Sequence, residues 1–365
     1  MRIVVTGLRG FPNIQGGVET HCEELYPRLV QLGCDVTVLR RKPFVKENPP
    51  LTSYKGVKIK DLNTFRKAGW EAVVHTLKGV WYAFRTRADV LHIHAVGPSI
   101  VVPVAKMLGL KVVVTHHGPD YERRKWGRFA KFVLKTGESF AAGWADEIIV
   151  ISTVIRQLLR DRYHRNRTHL IYNGVNKPVR IESTGYLRSL GLSPGKYILA
   201  VGRFVGEKNF DRLVLSYSMM PPLSGYQLVI AGDADHPTVY SDKLKKSARE
   251  HRVILTGMLK GAALQELYTH AGLFVLPSSH EGLPITLLEA MSYGIDVLVS
   301  DIPANNAVGL PPDCYFHLDA NIVPTLSKAL ESKIQNHAIH SYDLSPYDWD
   351  AIAAETMAVY SGVKP

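Results

Sequence analysis

Two glutamates eight positions apart, Glu281 and Glu289, bracket the stretch EGLPITLLE and are the first candidates for chemistry. Glu281 begins a Glu-Gly-Leu-Pro turn, whereas Glu289 lies in an otherwise apolar helical pattern. A buried carboxylate without a partner is costly, so Glu289 should face a polar ligand or a cation. A carboxylate that accepts hydrogen bonds from vicinal hydroxyls can hold a ribose, and the loop glutamate can hold another sugar in the same way. The alternative is that Glu289 is an ordinary residue of a helix surface.

Two cations follow a predicted strand in the second half of the chain. Arg203 comes directly after the run YILAV, and Lys208 lies five residues further on. A guanidinium fork and an ammonium group at the end of one strand can clamp a diphosphate. For an isolated pair, two solvated surface residues would be the simpler explanation. The position at the first strand of a Rossmann-like pattern favours the functional interpretation.

A glycine-containing loop joins the first predicted strand to a helix that opens at Gly16 and Gly17. Backbone N–H groups at a helix start attract anions, and glycine lets an anion approach closely. The spacing is not Gly-x-Gly-x-x-Gly, so no dinucleotide fingerprint is predicted. The same glycines could simply make a turn.

Short apolar runs alternate with helical patterns, and this alternation restarts after residue 176. Strands that are apolar on both faces indicate parallel sheets covered by helices on both sides. We therefore expect an α/β protein with two Rossmann-like doubly wound domains that face each other across a cleft. The predicted parts are residues 1–176, residues 177–344 and a helix in residues 345–365 that packs across the domain junction. Predicted strands are 2–6, 35–39, 89–94, 111–115, 146–151, 168–172, 197–201, 226–231, 252–256, 272–276 and 296–300. Predicted helices before the last one are 17–32, 70–87, 98–108, 124–142, 153–162, 208–219, 238–250, 260–271, 284–293 and 320–334.

The charge of this 365-residue chain is uneven. Residues 1–180 carry 30 Lys and Arg against 14 Asp and Glu, whereas residues 181–365 carry 14 against 19, for a net charge of +11. A basic half suggests a polyanionic partner such as nucleic acid, anionic lipid or phosphate. Neither an RNP-like strand nor a helix-turn-helix pattern accompanies the charge, so no nucleic acid is expected. The N-terminus enters a strand at once, which leaves no signal peptide, and three scattered cysteines favour reduced thiols in a cytoplasm.

Cations and aromatic residues interleave between residues 121 and 137. As a helix, this segment has an apolar stripe and a cationic side, which suits a helix lying on an anionic membrane. A core-packed helix with a solvated basic face is the competing interpretation. The cations are Arg123, Arg124, Lys125, Arg128, Lys131 and Lys135.

Taken together, several segments resemble the retaining glycosyltransferases of family 4, which have the GT-B fold. The resemblance covers nearly the whole chain. One departure is Asp296, where the family usually has proline. The segments are GGVETH, HIHAVGP, VVVTHHGPD, ADEIIVIS, YNGV, VGRFVGEKN and EGLPITLLEAMSYGIDVLVSD.

The resemblance implies a role for each matched position. Arg203 and Lys208 would neutralise the leaving nucleotide diphosphate, Glu289 would bind the ribose and Glu281 the transferred sugar. His117 would face the reacting carbons of the sugar, with the adjacent His116 as its competitor. The positions that would contact the donor through their backbone are Gly16, Gly17, Gly282, Leu283, Pro284 and Ile285.

The chemistry implied by the resemblance is transfer of a hexosyl-type sugar from a nucleotide-diphosphate sugar with retention of configuration. No enzyme base is needed, because a donor phosphate oxygen can take the acceptor proton on the same face. We expect no cofactor and no metal, since the cations can stabilise the leaving group. The basic half suggests a lipid-linked saccharide acceptor of bacterial surface polysaccharide assembly (lipopolysaccharide O-antigen, capsule or exopolysaccharide), with the enzyme cytoplasmic and peripheral on the inner face of the membrane. The alternatives are a GT-B nucleotide-sugar epimerase and a transferase with a soluble acceptor.

Overall fold

The computed structural model describes residues 1–45, 47, 49–64, 70–123, 126–221, 225–336, 338 and 340–363. The chain forms two compact units. Unit 1 contains Met1–Gly174 and Tyr347–Pro365, and unit 2 contains Val175–Pro346. Among the described helices, none combines the length and the apolar character that crossing a bilayer requires.

Unit 1 is built on an eight-stranded sheet in the order β3-β4-β2-β1-β5-β6-β7-β8. All neighbouring strands are parallel except β3 and β4, which form an antiparallel pair. Strands β3 and β4 were not predicted, because β4 buries only alternate residues and exposes Lys58 and Lys60 at its outer face. The strands are β1 Arg2–Thr6, β2 Asp35–Arg41, β3 Ser53–Tyr54, β4 Val57–Leu62, β5 Val90–His94, β6 Val112–His116, β7 Glu147–Val150 and β8 His169–Leu170.

Five helices of unit 1 connect these strands. The segment predicted as one helix over 98–108 is a 3-10 turn at Pro98–Val101 followed by a short α-helix. The helix predicted over 124–142 begins at Arg128, and Arg124 and Lys125 lie outside the described residues. The helices are α1 Gly17–Gln31, α2 Trp70–Arg85, α3 Val102–Met107, α4 Arg128–Trp144 and α5 Thr153–Tyr163.

Unit 2 is built on a six-stranded parallel sheet in the order β11-β10-β9-β12-β13-β14. Strand β14 and two short helices, α6 and α11, were not predicted, because segments of two to five residues show no periodicity. The strands are β9 Tyr197–Val201, β10 Gln227–Ala231, β11 Ile254–Gly257, β12 Leu273–Leu276, β13 Val297–Ser300 and β14 Tyr315–Phe316. The helices are α6 Gly185–Ser189, α7 Phe210–Met219, α8 Val239–Glu250, α9 Gly261–His270, α10 Ile285–Ser292, α11 Pro303–Asn306 and α12 Ile322–Gln335.

The last helix, α13 Trp349–Gly362, returns to unit 1 and packs on α1. Its N-cap Asp348 accepts hydrogen bonds from two backbone N–H groups of the first turn. A Cβ on Gly174 would lie 2.4 Å from the Trp349 ring, so the indole covers the chain where unit 1 ends. Tyr360 is fully buried in the core of unit 1. The strand order and parallel pairing of both units confirm the predicted α/β class with two Rossmann-like domains.

Candidate functional site

The loop after β1 is closed by an ion pair. Arg9 donates from its backbone N–H and from its side chain to Glu19, at distances of 3.0 to 3.1 Å. Gly16, the N-cap of α1, has φ of +156°, and a Cβ there would lie 2.1 Å from the Glu19 carboxylate. Only glycine fits at this position. Around Gly17 there is no atom within 4 Å of where a Cβ would stand, so the first turn of α1 has open space beside it.

Three histidines of unit 1 converge where β5 and β6 end. His94 is the last residue of β5, His117 follows β6, and His21 projects from α1. His94 Nδ1 and His117 Nε2 are hydrogen-bonded at 2.9 Å, and the His21 ring centroid lies 5.1 Å from that of His117. Burial lowers the pKa of His21 to about 4, against the opposing effect of a hydrogen bond with Asn173. Burial and the neighbouring imidazoles lower the pKa of His94 and His117 well below the usual value, so all three rings are neutral at pH 7.

The adjacent histidine, His116, is held by a different network. Its Nδ1 accepts from the Gly118 N–H at 3.1 Å, so its Nε2 carries the proton and donates to Glu138 at 2.8 Å. Glu138 is fully buried and also accepts from the hydroxyls of Tyr121 and Tyr163. Burial raises the pKa of Glu138, but the contacts with His116 and the two tyrosines outweigh it and hold the pKa below its usual value. His116 is therefore engaged by Glu138, and His117 is the ring that joins His21 and His94.

In unit 2, Lys208 and Glu281 are brought together. Lys208 is the last residue of the 3-10 turn Gly206–Lys208 after β9, and its Nζ donates to Glu281 Oε1 at 2.6 Å. Both side chains are partly accessible, at 15 % and 12 %. Arg203, on the same loop, donates to Asp235 at 3.0 Å. The two predicted phosphate-binding cations thus each have a carboxylate partner, and one of these partners is the predicted sugar-binding glutamate.

The segment Gly282–Ile285 leads into α10, whose N-cap is Pro284. Leu283 and Ile285 each carry a backbone N–H group, whereas Pro284 has none and cannot donate. In the middle of α10, Glu289 accepts a hydrogen bond from the Tyr268 hydroxyl at 2.9 Å. Burial and the Glu289 charge raise the pKa of Tyr268 well above the usual value, so this phenol stays a hydrogen-bond donor.

The partners of the predicted site residues were not predicted from the sequence. Asp235 follows β10 in the polar stretch GDADHP, and its place at a strand end was an available signal. Tyr268 and Glu138 lie in helices far along the chain from their partners, and no local pattern marks them. His94 lies in the segment HIHAVGP but was not predicted as a site residue.

Two groups of described side chains have ligand atoms close enough together to hold a metal ion. The first is His21, His94 and His117, of which His94 Nδ1 and His117 Nε2 are hydrogen-bonded to each other at 2.9 Å. The second is Asp296, Asp313, Cys314 and His340, where the Lys333 ammonium already contacts two of the carboxylates, at 2.7 and 2.6 Å.

Two Asp-x-Asp triplets, a spacing by which carboxylates can hold a metal at a diphosphate, also occur in the chain. In the triplet Asp233–Asp235, Asp233 pairs with Lys245 at 2.8 Å and Asp235 with Arg203. In the triplet 348–350, Asp348 caps α13 and Asp350 pairs with Arg28. Each of the four carboxylates is thus engaged by this chain's own donors.

The departure from proline at Asp296 has a structural reason. Asp296 directly precedes β13, is 2 % exposed and accepts from Lys333 of α12. His340 lies 3.6 Å from the same carboxylate. Asp296 therefore neutralises a lysine that is itself 5 % exposed, and it joins α12 to the sheet.

Comparisons with known proteins identify the family of the chain. Residues 15–177 match the family model "Glycosyltransferase Family 4", and residues 188–342 match "Glycosyl transferases group 1". An uncharacterised glycosyltransferase of Methanocaldococcus jannaschii is 24% identical over 99% of this chain and 98% of its own length. The UDP-Gal:alpha-D-GlcNAc-diphosphoundecaprenol alpha-1,3-galactosyltransferase of Escherichia coli is 24% identical over 78% of this chain and 77% of its own.

Among solved structures, sucrose-phosphate synthase from Thermosynechococcus elongatus has the same fold. It superposes with a TM-score of 0.83 at 18% identity, covering 99% of this chain and 98% of that one. The two family models account for both units in order, and the fold of each unit is the one that GT-B enzymes have. The chain belongs to glycosyltransferase family 4 and is a glycosyltransferase of the GT-B type.

Proposed function

We propose that the protein is a retaining, metal-independent hexosyltransferase that uses a nucleotide-diphosphate sugar and a lipid-linked saccharide acceptor. The single observation that carries the donor assignment is the Lys208–Glu281 contact at the carboxyl end of the unit 2 sheet. An ammonium group that can bind phosphate and a carboxylate that can accept hydrogen bonds from hydroxyls are in contact there. A sugar diphosphate presents the same two chemistries on adjacent atoms.

Donor binding uses the loops after β9 and β12. Lys208 and Arg203 take the diphosphate charge, and the Leu283 and Ile285 N–H groups add dipoles at the start of α10. Glu289 accepts from the ribose hydroxyls while Tyr268 holds its carboxylate in place. When the donor binds, Lys208 turns from Glu281 to the phosphates, and Glu281 is released for the hydroxyls of the transferred sugar.

The reaction follows from where charge develops. Breaking the bond between the anomeric carbon and the phosphate oxygen leaves a diphosphate anion, which the cations of unit 2 stabilise. A non-bridging phosphate oxygen accepts the proton of the acceptor hydroxyl on the face where the new bond forms, so the configuration is retained. The full pairing of the described Asp-x-Asp carboxylates supports a route without a metal. His117 is our candidate for a group of unit 1 that contacts the reacting sugar.

The acceptor assignment rests on helix α4. Phe129 and Phe132, one turn apart, are 72 % and 67 % exposed, although the competing interpretation would bury them in the core. The opposite side of α4 is the packed one, since Glu138 and Ala141 are buried there. Arg128 and Lys135 are exposed on the same helix. Exposed aromatic residues flanked by cations suit an anionic lipid surface.

Helix α2 adds to this face. Trp81 and Phe84 are 54 % and 41 % exposed and lie 5.8 Å apart, and α2 and α4 both contact the turn Pro98–Val101. We place the enzyme on the inner face of a bacterial cytoplasmic membrane, in the assembly of a surface polysaccharide such as O-antigen, capsule or exopolysaccharide. The E. coli relative, whose name states a diphosphoundecaprenol-linked acceptor, supports this placement.

The test is a transfer assay with a panel of nucleotide sugars against two acceptor classes. One class is undecaprenyl-diphosphate-linked N-acetylhexosamine in anionic vesicles, and the other is free hexose and hexose phosphate in buffer. We expect product only in the first class, with the small anomeric proton coupling of an α-linkage when the donor is an α-linked, gluco-configured nucleotide sugar, and with full activity in EDTA. Transfer to the soluble class alone would overturn the lipid-linked acceptor, and inversion at the anomeric carbon would overturn the retaining route. Conversion of the nucleotide sugar without any acceptor would favour an epimerase.

A further inference from the structure

A chain of hydrogen-bonded rings runs inward from His117 into the core of unit 1. We call it the imidazole–phenol chain; it consists of His117, His94, Tyr26, His92 and Tyr360. Apart from the partly accessible His117, every member is fully buried. His94 Nδ1 meets His117 Nε2, and His94 Nε2 meets the Tyr26 hydroxyl. His92 Nδ1 meets the hydroxyls of Tyr26 and Tyr360 at 2.9 and 2.6 Å.

The direction of these hydrogen bonds follows from donor and acceptor strength. A phenol O–H is the more acidic donor, and the bare nitrogen of a neutral imidazole is a far better acceptor than a phenol oxygen. The Tyr26 hydroxyl has one proton and meets two imidazole nitrogens, so we assign its donation to the shorter contact, with His94 Nε2, and leave His92 Nδ1 to the Tyr360 hydroxyl. The Cys22 Sγ lies 3.7 Å from the same nitrogen, and a thiol is also a weak donor. Two groups that can donate thus converge on His94 Nε2, and a bare nitrogen there is the arrangement that satisfies both.

A neutral imidazole that accepts at one nitrogen carries its proton on the other. His94 consequently has its proton on Nδ1 and donates it to His117 Nε2. His117 must then be bare at Nε2 and protonated at Nδ1. No hydrogen bond to a described residue involves His117 Nδ1, so this N–H is the ring position that can donate to a ligand.

We propose that Tyr26 and His94 are positioning residues that hold His117 in its Nδ1–H tautomer, so that His117 offers a saccharide ligand one neutral hydrogen-bond donor and no base. The proposal rests on the proposed function only in taking the ligand to be a saccharide. It makes His117 a group that holds a sugar oxygen, while the acceptor proton goes to the donor phosphate. A free neutral histidine would sample both tautomers and would spend part of its time unable to donate at this position.

Burial keeps the imidazole–phenol chain uncharged. Burial lowers the pKa of His92 to about 3, and no described carboxylate is hydrogen-bonded to any member of the chain. His92 Nε2 meets the Thr115 hydroxyl at 2.7 Å, so every ring nitrogen inward of His117 Nδ1 has a partner. The chain can therefore transmit a tautomer without bringing a charge into the core.

The direct test is ¹⁵N NMR of the whole protein labelled at histidine, with His117 assigned by its absence in His117→Asn. We expect a protonated Nδ1 and a bare Nε2 for His117 in the unsubstituted protein without ligand. A bare Nδ1 would overturn the proposal. This readout needs no substrate, so it stands or fails separately from the proposed function, which the transfer assay of the unsubstituted enzyme tests.

Two matched pairs of variants test the mechanism. Asn and Leu have the same branching, but only Asn can place an N–H donor near the position of His94 Nδ1. We expect His94→Asn to retain the His117 tautomer and most of kcat, and His94→Leu to lose the tautomer and about tenfold in kcat, as for one lost hydrogen bond to substrate. KM for the nucleotide sugar should stay within about twofold in both, because unit 2 holds the nucleotide. Equal kcat in both variants would contradict the proposal.

The second pair is Tyr26→Phe and Tyr360→Phe. Both phenols are fully buried and both contact His92, but only Tyr26 contacts His94. We expect Tyr26→Phe to mix the tautomers of His117 and to lower kcat, and Tyr360→Phe to leave the His117 tautomer unchanged. A shift of the His117 tautomer by Tyr360→Phe alone would mean that the signal does not pass through His94, and the proposal would fail.

Discussion

Replacing both exposed phenylalanines of α4 by serine should release the protein from anionic membranes. The two side chains expose 72 % and 67 % of their surface, which together amounts to about 1.4 phenylalanine side chains available for burial in lipid. Full burial of one such side chain is worth about 1.5–3 kcal/mol, so the pair contributes about 2–4 kcal/mol to membrane binding. Because 1.4 kcal/mol corresponds to a factor of ten, Phe129→Ser/Phe132→Ser should weaken partitioning by about 30-fold or more.

The assay is sedimentation of sucrose-loaded vesicles, anionic or zwitterionic, with the partition coefficient measured at two salt concentrations. The matched control is Met219→Ser/Val239→Ser on unit 2, whose side chains are 59 % and 74 % exposed but lie outside the proposed membrane face. We expect the control to partition like the unsubstituted protein. Since cations near an anionic surface add about 1 kcal/mol each, binding should also fall as salt rises. Equal loss in the two double variants, or binding that ignores lipid charge, would refute the reasoning.

Three further predictions concern the donor site and stability. Glu289→Gln should weaken binding of the nucleotide in a thermal-shift titration. Glu281→Gln should mainly lower kcat, by about tenfold or more, with little change in nucleotide affinity. Full activity of Glu281→Gln would contradict the site assignment. Because the pKa of Glu138 is lowered on folding, its stabilisation is fully present above its usual value of 4.5 and is lost as the pH falls through the lower folded value. The melting temperature of Glu138→Gln should therefore fall less than that of the unsubstituted protein between pH 5 and pH 3, and parallel curves would refute the linkage. Asp296→Asn removes the negative charge that pairs with the buried Lys333 ammonium and should lower the free energy of unfolding in urea by about 3 kcal/mol. An unchanged urea midpoint would show that Asp313 alone is enough to neutralise Lys333.

Most of the architecture was predictable because it is encoded in local patterns. Runs such as YILAV and LFVL are apolar on both faces, and a run of that kind is typical of a buried parallel strand. The elements that were missed are β3, β4, β14, α6 and α11. They are either too short to show a period or, like β4, lie next to an edge strand and bury only alternate residues.

The chemical types of the candidate residues were also evident from the chain. Glycines before α1, cations after β9 and two glutamates around α10 are close in sequence to the strand ends that carry them. Their partners were not evident, because Tyr268 lies 21 positions from Glu289 and Lys208 lies 73 positions from Glu281, and only folding brings the members of each pair together.

The sequence by itself determined the two Rossmann-like halves, the residue types of the donor site and the family, because burial pattern and loop chemistry are local properties. Tertiary structure alone decided that His116 is hydrogen-bonded to Glu138, that His117 is hydrogen-bonded to His94, and that Phe129 and Phe132 are exposed to solvent. Each of these outcomes depends on which side chains from distant segments reach the same place, and that is settled by how helices pack on a sheet and not by any spacing along the chain.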